Sequence, residues 1–337
     1  MKKYGFLLLL VLFLLLAGCN SLPDVAALGQ NVSNLSVWAM DTKMDLRLYG
    51  DTDGTEMKAL SAILFRLDHS LSATSADSAL SALNESGRTE DADIVSLAAA
   101  AQTISAQTDG ALDITLLPAS RLWGFGTGSY AVPAPAELEA LRDRVGMDKL
   151  SVSGGAVSIP AGTMLDLGAL AKGYAADLCR AELEAAACSG LLSLGGNIQT
   201  VGTKPDGSDW IVGVQDPDDA GSYLLTLRIT GTASVVVSGD YQRFFRRDGV
   251  RYCHILDPET LSPVQGSLRA VAVVADQGLL ADGLSTALYV LGREAGTALW
   301  RSRGDFEAVW IEDDGSVWIT PGLQDRVDKG AYQVIEP

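Results

Sequence analysis

Residues 191–237 are a succession of short aliphatic and β-branched runs, cut by Gly-Gly, Pro-Asp-Gly and Asp-Pro turns, the texture of successive β-strands. On either side the apolar residues fall at helical spacing instead. Leu60, Ile63, Leu64 and Leu67 mark a helix over 56–71, and Ile94, Leu97, Ala101 and Ile104 mark another over 93–107. A third reads over 135–145, with proline near its start, and a fourth over 169–187 after a short apolar strand. Helical spacing returns at 278–291 and 293–301, and strands close the chain at 307–311 and 316–319. Residues 35–49 read as two strands around Met40-Asp41-Thr42. Helix and strand signals interleave without a regular βαβ beat. The expected class is therefore α+β: a single large domain over 35–337, with mixed or antiparallel sheets. No internal repeat, low-complexity tract or convincing boundary divides it.

The residues ahead of that domain carry a different signal. Lys2 and Lys3 precede an unbroken apolar run from Phe6 to Leu16, which closes on Leu16-Ala17-Gly18-Cys19. The run is about half the ~20 residues a membrane-spanning helix needs, so it reads as the core of a signal peptide. Small residues before a cysteine suit a lipoprotein signal peptidase, with the Cys19 thiol accepting a diacylglycerol; the competing reading is a secreted protein with a chance cysteine. The expectation is a signal peptide over 1–18, then a lipidated Cys19 and tether over 19–34. That puts the protein on the extracytoplasmic face of the cell membrane, held by its lipid anchor. A net charge of −17 argues against nucleic acid as a partner and against adsorption to anionic lipid. It also means that a phosphate-rich ligand needs a metal or selected Lys and Arg side chains. Beyond Cys19 there are three cysteines, Cys179, Cys188 and Cys253, and an odd count speaks for packed thiols. Two histidines, His69 and His254, exclude a His-rich metal site.

Glycine-punctuated blocks carry the candidate chemistry. In Leu165-Asp166-Leu167-Gly168-Ala169-Leu170-Ala171-Lys172-Gly173-Tyr174 an acid precedes a helix start with a lysine close behind. Free backbone N–H groups and Lys172 there suit a diphosphate; a plain strand–helix junction with a solvated lysine reads equally well. Asp282 and Thr286 stand four apart in a helical run and share a face. A carboxylate and a hydroxyl are hard oxygen donors suited to magnesium, although an acid favouring the helix dipole and a threonine bonded to its own backbone explain them too. His254 sits beside Leu256-Asp257-Pro258, as a structural donor or as a catalyst. Gly124-Phe125-Gly126-Thr127-Gly128 lacks the last glycine of a dinucleotide fingerprint, since Ser129 stands there, and is not set in a βαβ unit.

Taken in order, these blocks resemble the FAD:protein FMN transferase family, also called ApbE or Ftp lipoproteins, from about Met40 to about Gly292. Thr108-Asp109-Gly110-Ala111-Leu112-Asp113 and Leu122-Trp123-Gly124-Phe125-Gly126 match two of its motifs. So do Asp166 to Tyr174, Leu194-Gly195-Gly196-Asn197-Ile198, His254-Ile255-Leu256-Asp257-Pro258 and Ala281 to Thr286. The resemblance implies magnesium held by the Ala169 carbonyl, Asp282 and Thr286. It implies FAD contacts at Met40, Ala111, Leu112, Asp113, Asp166, Lys172 and Leu256, several through backbone. It also implies an exported acceptor whose threonine or serine takes FMN as AMP leaves; Lys172, His254 and Asp282 are the candidate catalytic residues, with His254 or a metal-linked carboxylate as the base. A magnesium-dependent FAD pyrophosphatase and a non-catalytic flavin-binding lipoprotein are the alternatives. Three positions depart from the family pattern. Thr74 replaces a tyrosine that lies by the flavin, Val237 replaces a common threonine, and Leu261 replaces a glycine, suggesting a wider turn after Pro258.

Overall fold

The computed structural model describes residues 32–336. Nine strands form one sheet, and their order across it repeats their order along the chain. They are β1 (Val32–Ala39), β2 (Thr42–Tyr49), β3 (Ser189–Leu194), β4 (Asn197–Val201), β5 (Ala233–Gly239), β6 (Leu268–Ala275), β7 (Glu307–Glu312), β8 (Val317–Ile319) and β9 (Gln333–Val334). Each strand runs antiparallel to its neighbours, except that β8 and β9 are parallel. The helices are α1 (Thr55–Ser70), α2 (Ala79–Ser86), α3 (Ala92–Gln107), α4 (Leu117–Leu122), α5 (Pro135–Glu139), α6 (Ala171–Ala185) and α7 (Gly278–Arg303). This is the α+β architecture that the interleaved periodicities imply.

The central strands are covered on both sides. Along β6, Val271, Val273 and Ala275 face a core shared with α1, α3, α6 and α7. Ala270, Ala272 and Val274 face a second core, closed by a three-stranded sheet of Trp210–Gln215, Tyr223–Ile229 and Val327–Lys329. A strand pleat sends successive side chains to opposite faces, so a strand sandwiched this way has to be apolar at nearly every position. A third, smaller cluster joins Trp123 and Phe125 to Leu256 and Leu261. The three cysteines beyond Cys19 are free and buried.

Several boundaries differ from expectation. The first strand begins at Val32, so the last residues assigned to the tether are paired with β2. The signal peptide, Cys19 and the rest of the tether lie outside the described residues. The helix expected over 135–145 stops at Glu139 and is followed by a short 3-10 turn, Arg142–Arg144. Residues 278–291 and 293–301 belong to one element, α7, which turns at Gly292 (φ 76°, ψ 174°). Asp166 lies in irregular backbone between an isolated bridge of Met164 to Leu116 and the turn that precedes α6.

Candidate active site

Helices α6 and α7 cross where Gly173 meets Gly278. A Cβ at Gly173 would lie 2.2 Å from the Gly278 carbonyl oxygen and 2.7 Å from Asp282 Cβ, so only glycine permits the approach. The contact lets the Gly173 N–H donate to Asp282 Oδ2 at 2.8 Å. Lys172 Nζ lies 3.9 Å from Asp282 Oδ1 and donates to the Gly168 carbonyl at 3.4 Å. Asp282 is 3% exposed. Burial pushes its carboxyl above the usual range, while Lys172, the Gly173 N–H and the Asn197 amide pull it back. Asn197 opens β4, is 2% exposed, and keeps its Nδ2 without a hydrogen-bond partner although it lies beside Asp282. One helical turn on, Thr286 Oγ1 is 3.4 Å from Ser238 Oγ of β5. Ser238 Oγ also meets Ser285 Oγ at 2.8 Å, and Ser285 donates to the Asp282 carbonyl at 2.9 Å. The helix-dipole explanation of Asp282 is thereby replaced: Asp177 of α6 accepts from the first N–H groups of α7, those of Gly278 and Leu279, and Asp282 serves a neighbouring helix.

His254 follows a two-stranded hairpin, Phe244–Arg247 with Val250–Cys253. Its N–H donates to the Arg243 carbonyl at 3.0 Å, and its Nδ1 lies 3.3 Å from the same oxygen. Burial, the Arg243 charge and more weakly the Lys172 charge push its imidazole down to about 4, against the pull of the Arg243 carbonyl. The ring is therefore held neutral at neutral pH. Arg243 also reaches Asp41 at 3.9 Å, in the turn joining β1 to β2. That turn takes left-handed backbone at both Met40 (φ 50°) and Asp41 (φ 57°), and the Met40 N–H is anchored on Asp68 Oδ1 at 2.6 Å.

The blocks around Asp113 and Asp166 are stitched by the Asp166 N–H, which donates to the Ile114 carbonyl at 2.8 Å. Burial raises the Asp113 carboxyl against the opposing pull of Thr115, whose N–H and hydroxyl both donate to it, at 2.7 and 2.6 Å. Asp166 accepts from the Gly168 N–H at 2.9 Å and so fixes the turn that presents Ala169 and Lys172. The side chains of Ala111 and Leu112 point into the main core, leaving only their backbone for a ligand. Leu256 is likewise buried, in the Trp123 cluster. Thr74 stands beside Gly126, where an added Cβ would touch its methyl at 4.0 Å. The turn after Pro258 is closed by Leu261. Leu261 adopts the left-handed conformation (φ 56°), closes on the Asp257 carbonyl at 2.8 Å, and accepts from Trp123 Nε1 at 2.9 Å.

Hydrogen bonds and close approaches thus connect Lys172, Asp282 and Thr286, with the Ala169 turn attached through Gly168, while Arg243 joins His254 to the Met40 turn. The Asp113 and Leu256 groups adjoin through backbone and packing. Asn197 sits in a block the sequence singled out and Ser238 follows the Val237 departure, yet neither gave a sign of its role. A cavity of about 670 Å³ lined by Tyr49, Glu184, Cys188 and Thr203 contains none of these residues, and lies at the far ends of β2 and β4. Among the described residues, no three His, Cys, Asp or Glu side chains cluster as a metal cage.

The model of the ApbE family matches residues 40–310. The chain belongs to the ApbE family. A Treponema pallidum relative, an FAD:protein FMN transferase, is 35% identical over 307 residues, 84% of this chain and 85% of its own length. The apo flavinyl transferase ApbE of Pseudomonas stutzeri superimposes with a TM-score of 0.80 at 33% identity, covering 90% of this chain and 98% of its own. The ApbE protein of Thermotoga maritima gives 0.82 at 26% identity, over 88% and 99%. This ApbE chain is a transferase, and flavin transfer is its line of chemistry.

Proposed function

We propose that the protein moves FMN from FAD onto a threonine or serine hydroxyl of an exported acceptor protein, releasing AMP, with magnesium held by the Ala169 carbonyl, Asp282 and Thr286. The observation that carries this reading is Asp282 itself: a buried carboxylate with one hydrogen bond of ordinary length, facing a lysine 3.9 Å away. A buried charge so thinly compensated calls for a cation, and the nearby Asn197 amide is also unsatisfied. One carboxylate and one hydroxyl fit magnesium, which keeps few protein ligands and fills its shell with phosphate oxygens and water. Bound there, the metal supplies neutralisation of the FAD diphosphate.

The chain's own residues do the rest. Lys172 and the N–H groups of the Gly168 to Gly173 turn bracket the remaining phosphate charge, in a protein otherwise acidic. Backbone at Met40 and at Ala111 to Asp113, with Asp166 and Leu256, frames the FAD. With Nδ1 of neutral His254 donating to the Arg243 carbonyl, Nε2 is left as a proton acceptor. As the acceptor hydroxyl oxygen bonds to the phosphorus nearer riboflavin, the bond from that phosphorus to the bridging oxygen breaks. AMP departs with the bridging oxygen, and His254 takes the hydroxyl proton. Phosphoryl transfer asks mainly for positioning and charge neutralisation, the two things this arrangement supplies. The sequence of residues 1–19 supports anchoring at the extracytoplasmic face through a lipid on Cys19.

A second reading, FAD hydrolysis to FMN and AMP, is favoured by Thr74, since a small side chain beside Gly126 leaves the flavin side open to water. Incubating FAD and magnesium with a candidate acceptor and weighing the products separates the two. Transfer adds one FMN less water to the acceptor and stops in excess EDTA. Rapid FAD loss indifferent to the acceptor, with all FMN free, would replace transfer by hydrolysis.

A further inference from the structure

An enzyme that modifies a protein has to seat that protein so that its hydroxyl meets the reacting phosphorus. The hairpin leading into His254 is chemically unlike the rest of the chain. Residues 243–253 carry four arginines and one aspartate, in a sequence with 42 acidic and 25 basic residues. Arg246 and Arg251 stand directly opposite each other in the hairpin register, a like-charge pairing that costs stability. Arg251 is compensated by Asp240 at 3.0 Å and lies over the Phe244 ring at 4.6 Å. Arg243 has Asp41. Arg246 and Arg247 are exposed and have no ion-pair partner among the described residues.

The hairpin is rigidly mounted. Phe245 and Tyr252 stack at 5.1 Å, and Phe245 stacks on Tyr130 at 4.9 Å and leans on Phe125 at 5.8 Å. Trp123 closes the stack against Tyr252 at 5.3 Å. Around the arginines, apolar groups face solvent: Phe244 is 37% exposed, Val250 40% and Tyr130 45%. The fold has kept unpaired positive charge and aromatic surface together, beside the residue that receives the acceptor proton.

We propose that this hairpin is the docking face for the acceptor, and that the acceptor presents to it an acidic segment with apolar residues, flanking the target threonine or serine. The proposal rests on the transferase reading and names the chemistry of its partner. Charge complementarity fixes that chemistry. Toward a molecule of net charge −17 an acidic segment is repelled at most approaches, and the unpaired Arg246 and Arg247 make this hairpin locally attractive. The same field orients the segment so that it arrives at His254. Anionic lipid, a broad surface, meets the repulsion of the whole molecule and is disfavoured.

The test uses the full chain and its Arg246→Glu, Arg247→Glu double variant, neither residue being part of the site. The probes are two labelled synthetic peptides with the same threonine and apolar residues, one flanked by aspartates and the other by lysines. Binding is read by fluorescence anisotropy. The acidic peptide is expected to bind the native protein about tenfold more tightly than the basic one, an advantage that shrinks at high salt and vanishes in the double variant. FAD affinity, acceptor-free FAD turnover and the melting temperature are expected to stay native in the variant. Equal affinity for the two peptides, or undiminished binding of the acidic peptide by the variant, refutes the proposal. So does capture of the native protein, but not the variant, by phosphatidylglycerol vesicles while both peptides are ignored. Loss of the transferase reading shows separately, as a bound acceptor that gains no FMN mass.

Discussion

Replacing Gly173 by alanine separates two physical accounts by sign. Helix propensity alone predicts that the variant is more stable by about 1 kcal/mol, because alanine is the best helix former and glycine among the worst. The packing predicts the opposite. The added Cβ would lie 2.2 Å from the Gly278 carbonyl oxygen, whereas ordinary contact begins at 3.4 Å, so α6 and α7 must part by more than 1 Å. That movement stretches the 2.8 Å bond from the Gly173 N–H to Asp282 beyond hydrogen-bonding range. Losing a hydrogen bond to a charged group costs about 1.5–3 kcal/mol, and forcing a methyl into a packed contact about 1–3 kcal/mol more. After the gain in propensity, a net loss of roughly 1.5–5 kcal/mol remains. Urea denaturation at pH 7 measures it, and flavin transfer by the same preparation is expected to fall steeply because Asp282 and Lys172 no longer share one frame. A variant at least as stable as the native protein, with native activity, would mean that this crossing neither limits packing nor shapes the site.

Asp282→Asn is expected to abolish transfer while leaving the metal-free protein no less stable at pH 7. Burial raises the carboxyl in the folded state, so between the unfolded value of 3.8 and the folded one the native state holds the extra proton, and stability falls as pH rises through that window. A variant clearly less stable than the native protein in EDTA would contradict this. His254 is held neutral with its imidazole near 4, below its ordinary 6.5, so the acidic limb of the transfer rate is expected near pH 4 to 5, and His254→Gln should remove it. Folding stability follows the same group, being full above 6.5 and lost as pH falls toward 4; a rate that halves near pH 6.5 would disprove the assignment. Leu261→Gly relieves a left-handed leucine worth about 1 kcal/mol but empties a buried site worth about 3–5, so thermal melting should fall, and a rise would show the strain to dominate. Cys19→Ser is expected to leave the protein without acyl chains and in the soluble fraction, and mass spectrometry with fractionation checks both.

Helices α1, α3, α6 and α7 were legible because each buries one face, so that Leu60, Leu64 and Leu67, or Ile94, Leu97 and Ala101, recur at the helical period. Strand β6 was not. Covered on both faces, Leu268–Ala275 is apolar at nearly every position and has no alternation to read. The hairpin ending at Cys253 is hidden for another reason, since its aromatic residues pack on a loop more than a hundred positions earlier. In the site, the four-residue step from Asp282 to Thr286 marks a shared helix face, but the partner of Asp282 is a backbone N–H 109 residues away. The absence of glycine at Leu261 gave no hint that the leucine would take a left-handed conformation, its side chain buried among Trp123, Phe125 and Leu256.

The order of strands in the sheet also sets the order in which the molecule can be completed. All but one of the joins between neighbouring antiparallel strands connect segments separated by less than 40 residues, while β2 must wait for β3, which begins 140 positions after β2 ends. A chain emerging from its N-terminus at roughly 5–20 residues per second therefore carries the β1–β2 hairpin with a bare edge for on the order of ten seconds. Through that interval Met44, Leu46 and Leu48, all buried in the finished core, have α1 to pack against but not the rest of the wall that closes over them. Exposed hairpins of this kind invite pairing with other chains, so this edge is where a chaperone would be needed most. The Met40 turn is the earliest piece of the site to be made: Asp68 of α1 anchors it from nearby in the sequence, and Arg243 reaches it from the far half of the chain.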